Sequence, residues 1–94
     1  MALIQTYQMT AIDGKEAELR SALLALAAAV RGQPGCESTN IYTDATNASI
    51  FLFVEEWTSR DDQKKAGQAL GREAFAGVMA AAAGRPNVRS LVPE

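Results

Sequence analysis

The residues with the most chemistry to offer sit close together in one apolar stretch, Ser49 to Ser59. Alternation along a strand there puts Phe51, Phe53, Glu55 and Trp57 on one face, with Ile50, Leu52, Val54 and Glu56 on the other. A carboxylate on a covered sheet face must be paired or carry a raised pKa. A raised pKa would suit Glu55 to take a proton from a phenol or enol; the competing reading is an ion pair with a Lys or Arg across the fold or the dimer. Trp57, the single tryptophan, is by size an anchor for a core or an interface. Asn40 and Tyr42 share a face of a preceding strand, and either could hydrogen-bond a ligand's carbonyl or hydroxyl or serve as an ordinary strand residue. Tyr7 could point into a pocket or into the core. Arg72 could meet an anionic oxygen or be a solvated helix residue. Cys36 lacks a neighbouring activator in sequence and reads best as a small buried apolar residue.

The composition closes off other chemistry. There is no histidine, which removes a His base, a His metal ligand and a His haem ligand together. With one cysteine, a structural zinc site and an internal disulfide are excluded as well. No metal and no cofactor is expected. No glycine-rich phosphate loop is spelled by Gly32, Gly35, Gly67 and Gly71. A net charge of −2 without a basic cluster argues against nucleic acid and against a membrane surface. No stretch reaches the length of a membrane span and no targeting segment is visible, so a cytoplasmic location is the expectation.

The elements that must position these residues follow from periodicity. Ninety-four residues make a single domain, 1–94. A strand is expected over 2–9. Asp13 and Glu16 have capping-box spacing, and Leu19, Leu23, Leu26 and Val30 form one helical face, predicting a helix over 14–31 ended by Gly32 and Pro34. Pro34-Gly35-Cys36 is a turn, followed by a strand over 36–43, a loop at 44–48 and the strand ending at Trp57. Thr58 or Ser59 caps a helix that Gly67 and Gly71 interrupt; a second helical piece runs over 72–83, with Phe75, Val78, Met79 and Ala82 on one face. Phe75 and Met79 there read as core. A last strand is expected over 87–92. The order β-α-β-β-α-β is an α+β, ferredoxin-like arrangement, one antiparallel sheet with its helices on one face. The other face, formed by Ile41, Phe51, Phe53 and Trp57 or by their neighbours of opposite parity, would then be bare, which predicts a homodimer with sheet facing sheet.

Gln33-Pro34-Gly35-Cys36, Tyr42, and Phe51 to Ser59 with its ending Glu55-Glu56-Trp57-Thr58-Ser59 together resemble the antibiotic biosynthesis monooxygenase family, as does the Gly14-Lys15 opening of the first helix. The resemblance spans nearly the whole chain. It implies a dimeric α/β barrel with a pocket in each subunit between sheet and helices. It also implies a cofactor-independent monooxygenase that oxidises a small hydroxyaromatic or quinol with O₂. In that scheme Trp57 orients the aromatic ring, Glu55 is the other catalytic residue, and Asn40, Tyr42, Tyr7 and Arg72 are the residues available to bind substrate. Two departures stand out. Segment 62–71 lacks the histidines many members carry, and Ala66 and Gly67 cannot ligate iron, which sets aside the haem-degrading branch. Glu37-Ser38-Thr39 replaces a more apolar Leu-x-Tyr. The alternatives are a non-catalytic small-ligand-binding dimer and an isomerase or degrading enzyme for a small reactive metabolite.

Overall fold

The computed structural model describes residues 2–94; Met1, part of the single domain expected from sequence, lies outside the described residues. Seven elements follow one another: β1 (Leu3–Thr10), α1 (Glu16–Arg31), β2 (Cys36–Asp44), β3 (Asn47–Trp57), α2 (Arg60–Leu70), α3 (Glu73–Ala81) and β4 (Asn87–Leu91). The four strands form one antiparallel sheet in the order β2-β3-β1-β4. This is the ferredoxin-like α+β architecture that the periodicity predicts, with the second helical region split at Gly71, whose φ is +69°.

Pairing register decides which face each strand residue takes, because directly paired residues lie on the same side. Leu3 pairs with Trp57, Tyr7 with Phe53 and Met9 with Phe51. These residues meet Leu19, Leu23, Leu26 and Val30 of α1 and Val78 and Ala81 of α3 in the core. Phe51, Phe53 and Trp57 are at most 2% exposed. The bulky aromatic parity of β3 is therefore the covered one, and the bare face belongs to its neighbours: Ile50, Leu52 and Val54, joined by Ile4, Thr6, Tyr42 and Leu91. Each fully buried aromatic contributes about 1.5–3 kcal/mol to holding helices on sheet.

Helix α1 starts differently from the capping-box expectation. Lys15 occupies the N-cap and no side chain caps it; Asp13 and Gly14 form a turn in which the Lys15 N–H donates to the Ile12 carbonyl (2.8 Å). Glu16 instead accepts from the Ser49 hydroxyl (3.2 Å), tying the helix start to β3. For α2 the expected cap is present: the Ser59 hydroxyl accepts from the Asp62 N–H.

The Pro34-Gly35-Cys36 turn buttresses the end of β3. The Gly35 carbonyl accepts from the Thr58 N–H (2.9 Å), and Cys36 pairs with Trp57. A β-bulge between Cys36 and Ser38 inverts the alternation, so that Cys36 and Thr39 both face the helices. Gly35 has φ +87°, and a Cβ there would lie 2.5 Å from Asp62 side-chain atoms. Asp62 cannot yield freely, since it also takes the Thr58 hydroxyl. Gly35→Ala is expected to lose roughly 2 kcal/mol or more, from left-handed strain plus that clash. Urea unfolding checks this; an unchanged midpoint would contradict it.

Candidate functional site

Three strand residues that are far apart in sequence converge beneath the helices. Tyr7 on β1, and Glu55 and Trp57 on β3, all project to the helix side of the sheet. The Trp57 Nε1–H donates to Glu55 Oε1 at 2.9 Å, and the Tyr7 hydroxyl donates to the same oxygen at 3.4 Å. Oε2 receives no hydrogen bond among the described residues. Glu55 is 2% exposed. Burial raises its pKa, and the bonds from Trp57 and Tyr7 act in the opposite sense. Within the chain no cation joins it among the described residues, so an ion pair across the fold is not formed. The Tyr7 phenol is pushed well above its usual pKa by burial and then by the nearby carboxylate, which keeps it a donor.

Glu55 belongs to a polar row crossing the whole sheet. Ser90 on β4, Gln5 on β1, Glu55 on β3 and Thr39 on β2 are successive register partners. Gln5, Glu55 and Thr39 are buried. Ser90 donates to Gln5 Oε1 (2.5 Å), while Arg31 donates through Nε and Nη2 to Thr39 Oγ1 (3.1 and 2.7 Å). The cation nearest this row thus ends on a neutral hydroxyl, and Glu55 is left with neutral donors only.

Two cavities meet at this cluster. The larger, about 150 Å³, is apolar. Tyr7 and Met9 of β1, Phe53 of β3 and Leu26 of α1 form its floor and wall; Phe75, Val78 and Met79 of α3 close it, and Pro86 and Val88 edge the mouth. Tyr7 and Phe53 stack there with centroids 5.8 Å apart. The smaller cavity, about 20 Å³, lies against Glu55 and Trp57 beneath α2, where Gln63, Ala66 and Gly67 line it. That volume admits about one water molecule. Tyr7 and Phe75 border both spaces.

The remaining residues singled out from sequence lie elsewhere. Asn40 pairs with Val54 and Tyr42 with Leu52, so both stand on the bare face, across the sheet from Glu55. Arg72 is exposed at the break between α2 and α3 and lines neither cavity. Cys36 is half-buried beside Trp57, and burial raises its thiol pKa, the opposite of an activated nucleophile. Conversely, Phe75 and Met79, which read as core in the sequence, line the apolar cavity; Met79 is 49% exposed at its mouth. Nothing in helix periodicity distinguishes Gln63, a polar residue over a cavity, from one in water. No group of three His, Cys, Asp or Glu residues that could hold a metal occurs among the described residues, and none of their helices is long and apolar enough to cross a membrane.

The fold is shared with solved structures across the whole chain. SnoaB from Streptomyces nogalater, described as a cofactor-independent oxygenase, superposes with a TM-score of 0.88 at 17% identity, covering 99% of this chain and 93% of that one. A conserved protein from Methanosarcina mazei reaches 0.90 at 15% identity (100% and 94% covered). PA3566 from Pseudomonas aeruginosa reaches 0.83 at 22% identity (99% and 94% covered). Among curated proteins no sequence matches. The family model for antibiotic biosynthesis monooxygenases matches residues 2–78, a span that holds α1, the Pro-Gly-Cys turn and the whole Tyr7–Glu55–Trp57 cluster. This chain belongs to the antibiotic biosynthesis monooxygenase family.

Proposed function

We propose that the protein is a cofactor-independent monooxygenase whose substrate is a small hydroxyaromatic or quinol. The observation that carries this reading is Glu55: a buried carboxylate with no cation of its own chain beside it, held on Oε1 by two neutral donors, in the lining of a water-sized cavity. Such a carboxylate is a stronger base than one in water, closer to the pKa of a phenol near 10. The ring occupies the apolar cavity, and its hydroxyl proton passes to Glu55 Oε2, directly or through the one water the small cavity accommodates. The resulting phenolate is the reductant. It passes an electron to O₂, and the two radicals recombine at a ring carbon. For a hydroquinone the balance is hydroquinone plus O₂ giving hydroxyquinone plus water; one oxygen atom is inserted, the other leaves as water, and all four electrons come from the substrate. Trp57 Nε1–H and the Tyr7 hydroxyl fix the carboxylate through Oε1, and the Tyr7 ring lines the cavity that takes the substrate. Within this scheme Asn40, Tyr42 and Arg72 have no contact with the ring.

The SnoaB likeness supports the reaction class, and the apolar cavity supports the substrate class. A ligand-binding or isomerase role would use the same pocket without oxygen. Oxygen uptake by metal-free protein separates them: uptake dependent on Glu55 supports the oxygenase, and turnover or binding without uptake supports the others.

The assembly is proposed as a homodimer through the bare sheet face. Tyr42 and Leu91 there are 54% and 40% exposed, on either side of the half-buried Ile50, Leu52 and Val54. This apolar row, edged by the polar Gln8, Asn40, Glu56 and Arg89 of the same face, is the kind of patch that a partner covers. Leu52→Lys is expected to halve the mass seen by light scattering at micromolar concentration while leaving the helix content unchanged. A wild type that already scatters as a monomer would contradict the interface.

A further inference from the structure

Resting on the reading above, we infer that the apolar cavity selects a neutral substrate with one hydroxylated ring, and that any apolar substituent leaves through the mouth between Met79 and Val88. Three observations lead there. The volume, about 150 Å³, matches a dry apolar cavity that takes one benzene-sized ring. A linear three-ring system is larger than that volume, and the buried Leu26 and Phe53 line the cavity. The side chains lining it bring no cation; the phenol of Tyr7 is their single hydroxyl. A carboxylated or sulfated ring would therefore enter without a counter-charge and lie near the buried Glu55 carboxylate, doubly unfavourable. Arg72, the residue that could have answered an anionic group, is outside the cavity.

The mouth has its own character. Met79 of α3 and Val88 of β4 both line the cavity and are 49% and 48% exposed. Met adapts its shape to varied apolar partners. A methyl or short alkyl group on the ring can lie between these two side chains, while the hydroxyl stays at the Tyr7 end. The mouth thus sets a direction of entry, alkyl end outward, that brings the hydroxyl toward Glu55.

Methyl-resolved NMR of the intact protein under nitrogen tests this without any turnover. Methylhydroquinone is expected to shift the methyl signals of Leu26, Val78 and Val88 in a saturable way. Its carboxylated analogue, 2,5-dihydroxybenzoate, should bind at least about tenfold more weakly. A three-ring anthrone should leave Leu26 unmoved. Met79→Trp, at a half-exposed position that does not disturb the core, should weaken methylhydroquinone binding by a similar factor. Equal or tighter binding of the carboxylated ring, an anthrone that shifts Leu26, or no shift at these methyls with methylhydroquinone would overturn the inference. Anthrone oxidation without single-ring binding would leave the oxygenase standing and remove this selectivity. Single-ring binding without oxygen uptake would do the reverse.

Discussion

Glu55→Gln is expected to lower oxygen-dependent turnover by about 10²–10⁴-fold, the range of a general base, with the fold intact. The amide oxygen can still accept from Trp57 Nε1 and from Tyr7, so the local geometry survives, but the proton acceptor is gone. The stability effect runs the opposite way. A carboxyl whose folded pKa is raised binds more protons in the native state than in the unfolded state between its two pKa values. Stability therefore falls as pH rises from the ordinary glutamate value, 4.5, toward the raised one, and stays lowered above it. Glu55→Gln removes that loss. The variant should match wild type near pH 4 and become progressively more stable than wild type toward pH 8. Carboxylates with lowered pKa values, Asp44, Asp62 and Glu16, contribute in the other direction in both proteins and cancel in the comparison. Urea melts across this pH range, paired with an oxygen electrode, check both halves. A variant less stable than wild type at pH 8 would show that Glu55 has a partner worth more than its burial costs.

Trp57 separates packing from chemistry through two substitutions. Trp57→Ala empties a site 2% exposed at the junction of β3, α2 and the Pro-Gly-Cys turn, and should cost about 3–5 kcal/mol, enough to threaten folding in a chain this small. Trp57→Phe keeps most of the apolar volume and deletes one donor. Losing a hydrogen bond to a charged acceptor costs about 1.5–3 kcal/mol. The same deletion removes a contact that lowers the Glu55 pKa, so that pKa should rise further. The acidic limb of the pH–rate profile should then move to higher pH, and the rate at neutral pH should fall. A purely structural Trp57 would change the melting temperature and leave the pH limb where it was.

Much of this arrangement is written in local patterns. The heptad-like spacing from Leu19 to Val30 and the Ser59 cap predict α1 and the start of α2 within one or two residues of where they lie. The order of elements gives the ferredoxin-like topology, and the spacing of Pro-Gly-Cys from Glu-Glu-Trp points to the family. What local patterns leave open is parity. Residues 50–54 are apolar on both faces, so nothing in β3 alone says whether Phe51 or Leu52 faces the helices; that depends on pairing with β1, more than forty residues away in the chain. The same gap affects Asn40 and Tyr42. Their face relative to Glu55 depends on inter-strand register, while the bulge before Ser38 turns Cys36 to the helix side. Glu55 and Trp57 stand out as a pair because they share a strand, and Tyr7 joins them only through register. The cavity under α3 had no sequence signal at all, since Phe75 and Met79 carry the same helical spacing whether they fill a core or line a pocket. At α1 the capping-box spacing misleads because Gly14, at φ +85°, turns the chain before the helix begins.

Oxygen uptake by metal-free protein, with a hydroquinone panel and with Glu55→Gln beside wild type, decides whether Glu55 drives a monooxygenase. Protein-dependent uptake of one O₂ per substrate, no oxygen returned on adding catalase, and collapse of the rate in the variant are expected. Uptake that is equal in wild type and Glu55→Gln, or that yields hydrogen peroxide stoichiometrically, would contradict a monooxygenase built on Glu55.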